Sequence, residues 1–294
     1  MSWRTVVITS SAKLDYQMGQ LIVRSDETKK VFISEIGTLV VENTAVSMTA
    51  VLLNELVQRK VKVVFCDSKR NPSFELSPYY ASYDDSSKIR LQIKWTEGQK
   101  ALFWKEIVSE KIRKQAEILN HFGMKEKSKQ LLSYIPSIDP GDATNREGFA
   151  AKIYFNSLFG PVFSRTSEDP INAALNYGYT ILLSQFNRET AVCGYLTQLG
   201  FFHDNIFNHF NLSCDLMEPF RPIIDLYVKN MSPEKFDKEE KHKLLEFINY
   251  TVEINGRNEY LSNAVSKYVR SVFNAINEND ISKIHFYSFN FDEN

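Results

Sequence analysis

Two acidic residues lie three positions apart in the segment DLMEPFRPIID, residues 215–225. In a helix this spacing places the carboxylates of Asp215 and Glu218 on one face. Pro219 follows directly and lacks a backbone donor, so the carbonyl of residue 215 would lose its helical hydrogen bond. Arg221 adds a planar cation that would brace a carboxylate or meet a phosphate. Surface helices are not usually built this way, so the two acids are candidates for chemistry.

A histidine precedes these acids in the segment GFFHDNIFNHF, residues 200–210. His203 follows two phenylalanines, and a lone histidine among aromatic residues is more often a core residue than a ligand. His209 is the nearby competitor and would lie on a different face of a shared helix. One imidazole with two or three carboxylates suits Mg²⁺ or Mn²⁺ better than zinc. The close succession of His203 and the acid pair therefore indicates a metal site, with a core histidine as the alternative.

A third acid begins the segment TNREGFAAKIYFNSLFG, residues 144–160. Glu147 lies on a helix face that is otherwise apolar, so its carboxylate would point at a packed surface. However, Thr144 and Glu147 also match a capping box, in which the glutamate reaches back to the first backbone amide of the helix. From this segment alone, the capping role is the more common explanation.

Basic residues are clustered in two parts of the chain. A solvated surface is the ordinary explanation for each cluster, because binding phosphates would require the side chains to converge in space. The candidates for DNA binding are Arg59, Lys60, Lys62, Lys69 and Arg70 in the first cluster, and Lys111, Arg113 and Lys114 in the second. A further run, Lys125, Lys127 and Lys129, follows on the next predicted helix.

Residues 1–80 are predicted to be rich in β-strands. Short runs of β-branched residues are separated by turn residues such as Met18-Gly19 and Ile36-Gly37, which predicts an antiparallel meander. These runs are RTVVIT, GQLIVRS, KVFISE and TLVVE. One helix, SMTAVLLNELVQR, and a returning strand, KVKVVFCD, follow them. We expect a small sandwich or folded sheet with one helix.

The rest of the chain is predicted to be helical. We place a β-rich domain at 1–82, a linker at 83–97 with the boundary near Tyr83–Ser87, and an all-α domain at 98–294. The first helical segment, ALFWKEIVSEKIRKQAEILNHF, keeps an apolar stripe over five turns. Further helices are predicted at 124–134, 145–158, 171–190, 213–228, 239–253 and 260–277, and the aromatic tail is expected to dock as an extended segment. The predicted fold class is α+β.

Composition excludes several classes of protein. No apolar run approaches the ~18 residues of a membrane span, and the N-terminus lacks a signal-peptide pattern. The three cysteines have no pair spacing, which favours a reducing, cytoplasmic compartment and argues against a zinc cage. The net charge of −1 argues against a uniformly basic nucleic-acid binder but allows a local basic surface.

Three of these segments together resemble one known family. NREGFAAKIYF around Glu147, GFFHDN around His203 and DLMEPFRPIID around Glu218 occur in that order after a β-rich region of this size. The chain is identified by these motifs as a member of the CRISPR-associated adaptation integrases, the larger subunit of the complex that captures new spacers. The resemblance covers essentially the whole chain and is nearest to the type II branch, which uses a single RNA-guided effector.

The resemblance implies a site and assigns roles to its residues. It makes Glu147, His203 and Glu218 the catalytic ligands of Mg²⁺ or Mn²⁺, although some family members carry Asp where this chain has Glu218. Asp215 is expected to support the ligands or position the substrate, and the same is expected of Asn145, Arg146 and Arg221. Pro219 and Pro222 would distort the helix so that Glu218 projects into the site and the freed carbonyl meets water or the site's hydrogen bonds.

The resemblance also implies a reaction and partners. The 3′-hydroxyl ends of a captured double-stranded DNA fragment would attack phosphates of a CRISPR repeat by transesterification. Homodimers would join a small ferredoxin-like partner in a heterohexamer, and the branch implies the type II effector nuclease as a further partner. The residues by themselves leave two alternatives open, a non-catalytic DNA-binding scaffold and a general metal-dependent phosphoesterase.

Overall fold

The computed structural model describes residues 4–78 and 84–291. The first of these ranges is rich in strands and carries one helix, α1. Its elements are β1 (Arg4–Ile8), β2 (Ala12–Gln17), β3 (Gln20–Arg24), β4 (Thr28–Phe32), β5 (Ile36–Val41), β6 (Val46–Met48), α1 (Ala50–Gln58), β7 (Lys62–Cys66) and β8 (Pro72–Leu76). This arrangement confirms the predicted strand-rich region and its single helix.

The strands form two four-stranded sheets and not one meander. β2, β3 and β4 are antiparallel neighbours as predicted, and β2 and β3 are joined at Met18 and Gly19, which both have positive φ. β1, β5 and β7 instead pair in parallel in a second sheet, with β8 antiparallel at its edge. The meander prediction was wrong for these strands, because an apolar run such as IGTLVV, buried on both faces, is typical of a parallel strand covered on two sides.

A separate apolar core holds the two sheets and α1 together. Leu14 and Leu21 come from one sheet, Leu39 and Val63 from the other, and Leu52 from the helix, and all five are fully buried. Two buried aliphatic layers on either side of one core are the arrangement expected of a small sandwich.

The second range is mainly helical, as predicted. Its helices are α2 (Asp85–Gln92), α3 (Glu97–His121), α4 (Lys125–Leu132), α5 (Arg146–Phe159), α6 (Pro170–Val192), α7 (Asn211–Met217), α8 (Arg221–Met231), α9 (Lys238–Leu244) and α10 (Leu261–Glu278). The two longest, α3 and α6, are buried along most of their length and form the centre of the larger core. No helix in the described ranges is long and apolar enough to span a membrane.

This half is not purely helical, because three short strands form a small sheet. β9 (Thr251–Ile254) lies between β10 (Arg257–Tyr260) and β11 (Ser288–Phe289), so the prediction of one helix over 239–253 was wrong. Asn255 and Gly256 both have positive φ and join β9 to β10. An Asn-Gly pair is a strong hairpin signal, and the predicted helix extended into the strand that precedes it. The aromatic tail docks as an extended strand, as predicted, over Ser288–Phe289.

The predicted linker contains a helix. α2 lies within 83–97, while residues 79–83 lie outside the described residues, including Tyr83 of the predicted boundary. The Gln92 side-chain amide donates to the Leu196 carbonyl and accepts from the Leu196 amide, both at 2.8 Å. It also donates to the Leu199 carbonyl at 3.1 Å, so α2 is tied to the segment that leads to His203. The division of the chain into domains stays a prediction.

Candidate active site

Glu147 lies in the first turn of α5, but it does not cap that helix. Asn145 is the N-cap residue, in left-handed conformation, and its side-chain oxygen accepts from the Gly148 amide at 3.2 Å. The Asp142 carboxylate accepts from the amides of Arg146 and Glu147 at 2.8 and 2.9 Å. The capping-box alternative centred on Thr144 is therefore wrong, because neighbouring side chains already satisfy these amides. The Glu147 side chain is free to point elsewhere.

Glu218 lies where the chain passes from α7 to α8. The 3₁₀ turn Glu218–Phe220 separates the two helices, because Pro219 and Pro222 cannot donate helical hydrogen bonds. The sequence predicted that the Asp215 carbonyl would be free to meet water or the site's hydrogen bonds. That prediction was wrong, because the carbonyl accepts from the Glu218 amide. The 3₁₀ turn thus replaces the lost helical bond and turns Glu218 toward α3. Its side chain is buried.

The carboxylates of Glu147 and Glu218 meet at one cation. Lys111, in the middle of α3, places its Nζ 2.5 Å from Glu147 Oε1 and 2.5 Å from Glu218 Oε2. The other oxygen of Glu218 accepts from Arg221 Nε at 2.8 Å, so Arg221 braces this carboxylate as predicted. The Arg221 guanidinium also lies over the ring of Tyr179, 4.6 Å from its centroid. Two segments distant in sequence therefore present their acids to one buried positive charge.

His203 is held by Asp215 and is not a core residue. Its Nδ1 lies 2.5 Å from Asp215 Oδ1. This contact favours the proton on Nδ1, and in the neutral imidazole Nε2 then carries the free lone pair. The same carboxylate accepts from the backbone amides of Phe201 and Phe202 at 2.6 and 2.9 Å. A side chain at Gly200 would come within 2.7 Å of Asp215 Oδ2, so only glycine fits this loop. The competing His209 is exposed and lies outside the cluster.

Aromatic rings fix the other side of the histidine. Phe202 stacks on Trp104 of α3 with ring centroids 4.5 Å apart, and Trp104 meets the imidazole edge-on at 5.7 Å. Asp215 is completely buried, whereas the His203 side chain keeps 41% of its surface exposed. The imidazole is therefore positioned from within the protein and faces outward.

The charges of the cluster shift the pKa values of its members. Burial alone would raise the pKa of Glu218, but Arg221 and Lys111 outweigh it and hold that pKa at about 2. Burial also disfavours the Lys111 ammonium, yet Glu147 and Glu218 raise the pKa of Lys111 above its ordinary value. The hydrogen bond to Asp215 raises the pKa of His203, with smaller contributions from Glu218 and Glu147. Near neutral pH both Glu218 and Lys111 are therefore charged.

The donor set fits a hard divalent ion, although the side chains do not form a coordination sphere. In the described ranges, no three His, Cys, Asp or Glu side chains lie close enough to hold one ion together. The two glutamates instead share the Lys111 ammonium, which shows that this position binds positive charge. Carboxylate oxygens with one imidazole are ligands that Mg²⁺ and Mn²⁺ accept.

Comparison with known proteins identifies the family. Residues 5–263 match the family model described as CRISPR associated protein Cas1. A CRISPR-associated endonuclease Cas1 from Neisseria meningitidis is 32% identical over 277 residues, which cover 92% of this chain and 91% of the relative. A second relative of the same description, from Francisella tularensis subsp. novicida, is 26% identical over 77% of this chain and 78% of its own length. The chain belongs to the Cas1 family.

Solved structures show that the Cas1 fold extends over the whole chain. A Cas1 protein from Thermotoga maritima superposes with a TM-score of 0.74 at 16% identity, covering 99% of this chain and all of that one. A casposase bound to an integration product superposes with a TM-score of 0.77 at 16% identity, covering 100% of this chain and 94% of the casposase. The α+β class with a strand-rich first region and a helical second region is thereby confirmed.

Only some of the basic residues predicted to bind DNA have side chains at the surface of this Cas1 chain, where they could contact a phosphate. Lys62 is buried and paired with Glu75, and Lys114 is buried between Glu110 and Glu117, so neither offers a free cation to a phosphate. Lys111 is buried in the cluster described above. The residues that keep exposed or half-exposed side chains are Arg59, Lys60, Lys69, Arg70 and Arg113. Three of them form ion pairs: Arg59 with Glu55, Arg70 with Glu42, and Arg113 with Glu110.

Sequence reasoning missed Asp142 and Trp104, which help to build this Cas1 site, and it gave Lys111 a different role, in DNA binding. Asp142 had a detectable signal, because an acid just before a helix start commonly accepts from its first amides. Trp104 and Lys111 looked like ordinary members of an amphipathic helix. Their partners come from other segments: Phe202 and His203 pack on Trp104, and Glu147 and Glu218 contact Lys111. Arg146 and Asn145 lie beside Glu147, but the contacts described for them serve the helix start, through the Arg146 amide and the Asn145 side chain.

Proposed function

We propose that this chain is a metal-dependent DNA integrase and endonuclease that inserts captured DNA into a CRISPR repeat. The observation that carries the proposal is the meeting of Glu147 and Glu218 at one buried cation position, beside a histidine oriented by Asp215. In a chain of the Cas1 family, these side chains come from the three motifs that suggested the activity. The endonuclease descriptions of its curated relatives support the same reaction class.

Each residue of the cluster has a proposed task. Glu147, His203 and Glu218 would hold Mg²⁺ or Mn²⁺, which when bound polarises a phosphate oxygen and stabilises the charge that develops during transfer. Asp215 keeps Nδ1 of His203 protonated, so Nε2 presents its lone pair outward. Arg221 holds Glu218 in its charged form and fixes one of its oxygens. Asp142 and Asn145 hold the start of α5, which sets the direction of Glu147.

The proposed reaction exchanges one phosphodiester for another. The 3′-hydroxyl oxygen of the captured fragment bonds to a phosphorus of the repeat and loses its proton to solvent. The bond from that phosphorus to the 3′-oxygen of the cut strand breaks, and this oxygen takes up a proton. The number of phosphodiester bonds is unchanged, so no external energy source is required. Positioning and electrostatics would supply most of the acceleration.

We propose double-stranded DNA, a second copy of this chain and a small ferredoxin-like protein as partners. Chains of similar fold include the casposase bound to an integration product and a chain of a Cas6-RT-Cas1–Cas2 complex, superposed with a TM-score of 0.73. The predicted heterohexamer, the contact with an effector nuclease and the cytoplasmic location belong to this proposal. The candidates for phosphate contacts within this proposal are the exposed Lys60 and Lys69, and the exposed run Lys125, Lys127 and Lys129.

A joining assay tests the proposal. The protein, its small partner and Mn²⁺ are incubated with a repeat-bearing plasmid and a short labelled duplex, and joined products are separated on a denaturing gel. We expect joining at the repeat boundary by the wild type and none by Glu147→Ala or His203→Ala, with unchanged far-ultraviolet circular dichroism. Thr144→Ala is the matched control, because Thr144 neighbours Glu147 without a role in the site. Binding without Mn²⁺-dependent joining would favour a scaffold, and joining by either variant would remove that residue from the site.

A further inference from the structure

Lys111 differs from the other buried lysines of this protein in what it contacts. Its side chain is only 9% exposed, and its Nζ lies 2.5 Å from a carboxylate of α5 and 2.5 Å from a carboxylate of the 3₁₀ turn. Lys114, three residues later on α3, is also buried, but its partners Glu110 and Glu117 belong to its own helix. Lys111 is therefore the lysine through which α3 bridges the two glutamates of the candidate site.

The oxygens that Lys111 binds are those that the proposed ion requires. Glu147 and Glu218 are both assigned as ligands, and the second oxygen of Glu218 already accepts from Arg221. With Lys111 and Arg221 in place, two negative charges face two positive charges at a partly buried position. Adding a divalent ion while both remain would set four positive charges against two negative charges. Like charges a few ångströms apart repel strongly where water is excluded.

We infer that Lys111 is an internal cation that occupies the Glu147 and Glu218 carboxylates until a divalent ion displaces its ammonium from them. This inference rests on the proposed function, since it takes both glutamates to be metal ligands. A lysine suits the task, because its ammonium is a point charge on a flexible four-carbon stem and can leave without moving the helix. In the protein without metal, the same ammonium reduces the repulsion between the buried Glu218 carboxylate and the partly exposed Glu147 carboxylate.

Lys111 thus positions the two carboxylates and competes with the metal for them, in place of the DNA contact expected from the sequence. In the protein alone, without DNA, the wild-type site should bind divalent ions more weakly than the same two carboxylates would bind them without the Lys111 ammonium. Removing the ammonium while keeping the apolar stem should therefore strengthen metal binding. Removing a buried lysine of the same helix that contacts other glutamates should leave metal binding unchanged.

The experiment is a titration of the 294-residue chain with Mn²⁺ alone. The electron paramagnetic resonance signal of the free ion measures how much Mn²⁺ remains unbound. Wild type is compared with Lys111→Met, with Lys111→Arg, which keeps the charge, and with the matched control Lys114→Met. We expect the dissociation constant for Mn²⁺ to be lower in Lys111→Met than in wild type by about tenfold or more, because a charge interaction at a partly buried site has this size. Lys111→Arg and Lys114→Met should stay within about threefold of wild type, by the same reasoning.

A second readout covers the case in which Lys111→Met folds poorly. Without metal, its melting temperature should lie below that of wild type, because Glu147 and Glu218 then face each other with only Arg221 as counter-charge. Saturating Mn²⁺ should raise the melting temperature of Lys111→Met more than that of wild type. If Lys111→Met does not fold, Lys111→Gln replaces it in both measurements with the same expectations.

The outcomes separate this inference from the proposed function. Equal or weaker Mn²⁺ binding by Lys111→Met, with normal binding by wild type, would overturn the inference and leave the metal-dependent reaction standing. Tighter binding in Lys114→Met as well would also overturn it, because the effect would then follow from net charge and not from this contact. Absence of Mn²⁺ binding in wild type and in every variant would overturn both.

Discussion

At the scale of single residues, Asp215 and Glu218 have different surroundings although they lie three positions apart. Asp215 is fully buried, and its oxygens accept from His203 and from the backbone of the loop that carries it. Glu218 receives its hydrogen bonds from the side chains of Lys111 and Arg221. One acid thus shapes the loop, and the other presents its charge to the site. The two should respond differently to substitution.

We predict that Glu218→Gln eliminates joining and that Asp215→Asn only reduces it. Glu218→Gln keeps the shape but removes the negative charge that would hold a divalent ion. Asp215→Asn weakens the orientation of His203, and such supporting changes typically cost about 10–100-fold. Joining rates measured against Mn²⁺ concentration should show partial rescue of Asp215→Asn and none of Glu218→Gln. The reverse ranking would place the ligand at Asp215.

At the scale of elements, the candidate site depends on how helices begin and end. Asn145 and Asp142 accept hydrogen bonds from the first amides of α5, and a proline-containing 3₁₀ turn separates the two helices around Glu218. These terminal turns aim the side chains of Glu147 and Glu218 at α3, whose buried face supplies Lys111 and Trp104. Local backbone chemistry thus sets the direction of each acid, and the packing of α5 and α8 on α3 brings them together.

We predict that Asp142→Ala destabilises the protein by about 1–2 kcal/mol, as loss of a helix cap typically does. The amides of Arg146 and Glu147 lose their acceptor, so the first turn of α5 frays and joining activity falls with it. Thr144→Ala is the control and should leave the free energy of unfolding unchanged, because Asn145 and Asp142 satisfy this helix start. Urea denaturation of both variants measures the difference. A larger loss in Thr144→Ala would restore the capping box.

At the scale of the whole molecule, stability and DNA binding depend on charges that lie far apart in sequence. The net charge is −1, yet some cations, such as Lys62 and Lys111, are buried in ion pairs while others are exposed on the surface. Buried groups such as Asp225 affect the free energy of folding, while exposed groups such as Lys60 and Lys69 are available to a charged ligand. Net charge therefore predicts neither property.

We predict that Asp225→Asn stabilises the protein at neutral pH. Burial raises the pKa of Asp225 to about 6, and a hydrogen bond from Tyr179 opposes the shift only in part. The folded state thus favours the protonated acid, so its stabilising contribution is present near pH 4 and is lost as pH rises through 6. The uncharged amide avoids this loss, worth about 1–3 kcal/mol above pH 7. Thermal melts from pH 4 to 8 should show the two proteins diverging as pH rises, whereas a constant difference would contradict the assignment.

We predict that DNA binding weakens steeply with salt despite the net charge. Phosphate contacts by exposed Lys and Arg release counterions, and each contact adds about 0.9 to the slope of log affinity against log salt on duplex DNA. Fluorescence anisotropy with a labelled duplex at 50–200 mM salt measures this slope. Lys60→Ala and Lys69→Ala should each lower the slope, whereas Lys114→Ala, buried in its ion pairs, should not. A slope near zero for wild type would exclude a surface that follows the phosphate backbone.

The sequence determined which residue types carry the chemistry and which regions are strands or helices. Short motifs identified Glu147, His203 and Glu218 as candidates, and hydrophobic periodicity located the long helices, because both signals are local. The hairpin at Asn255-Gly256 was equally local and could have been predicted. These features depend on neighbours within a few residues along the chain.

Only the tertiary structure decided which distant groups meet. The sequence could not show that β5 pairs with β1 instead of β4, since both pairings bury the same apolar run. It could not exclude the capping role of Glu147, because that choice depends on whether Asp142 and Lys111 lie within hydrogen-bonding reach. Nor could it distinguish the exposed Lys69 from the buried Lys111, because a lysine's partners are set by the packing of separate helices. Contacts between residues far apart in sequence depend on the whole fold, and local patterns do not encode them.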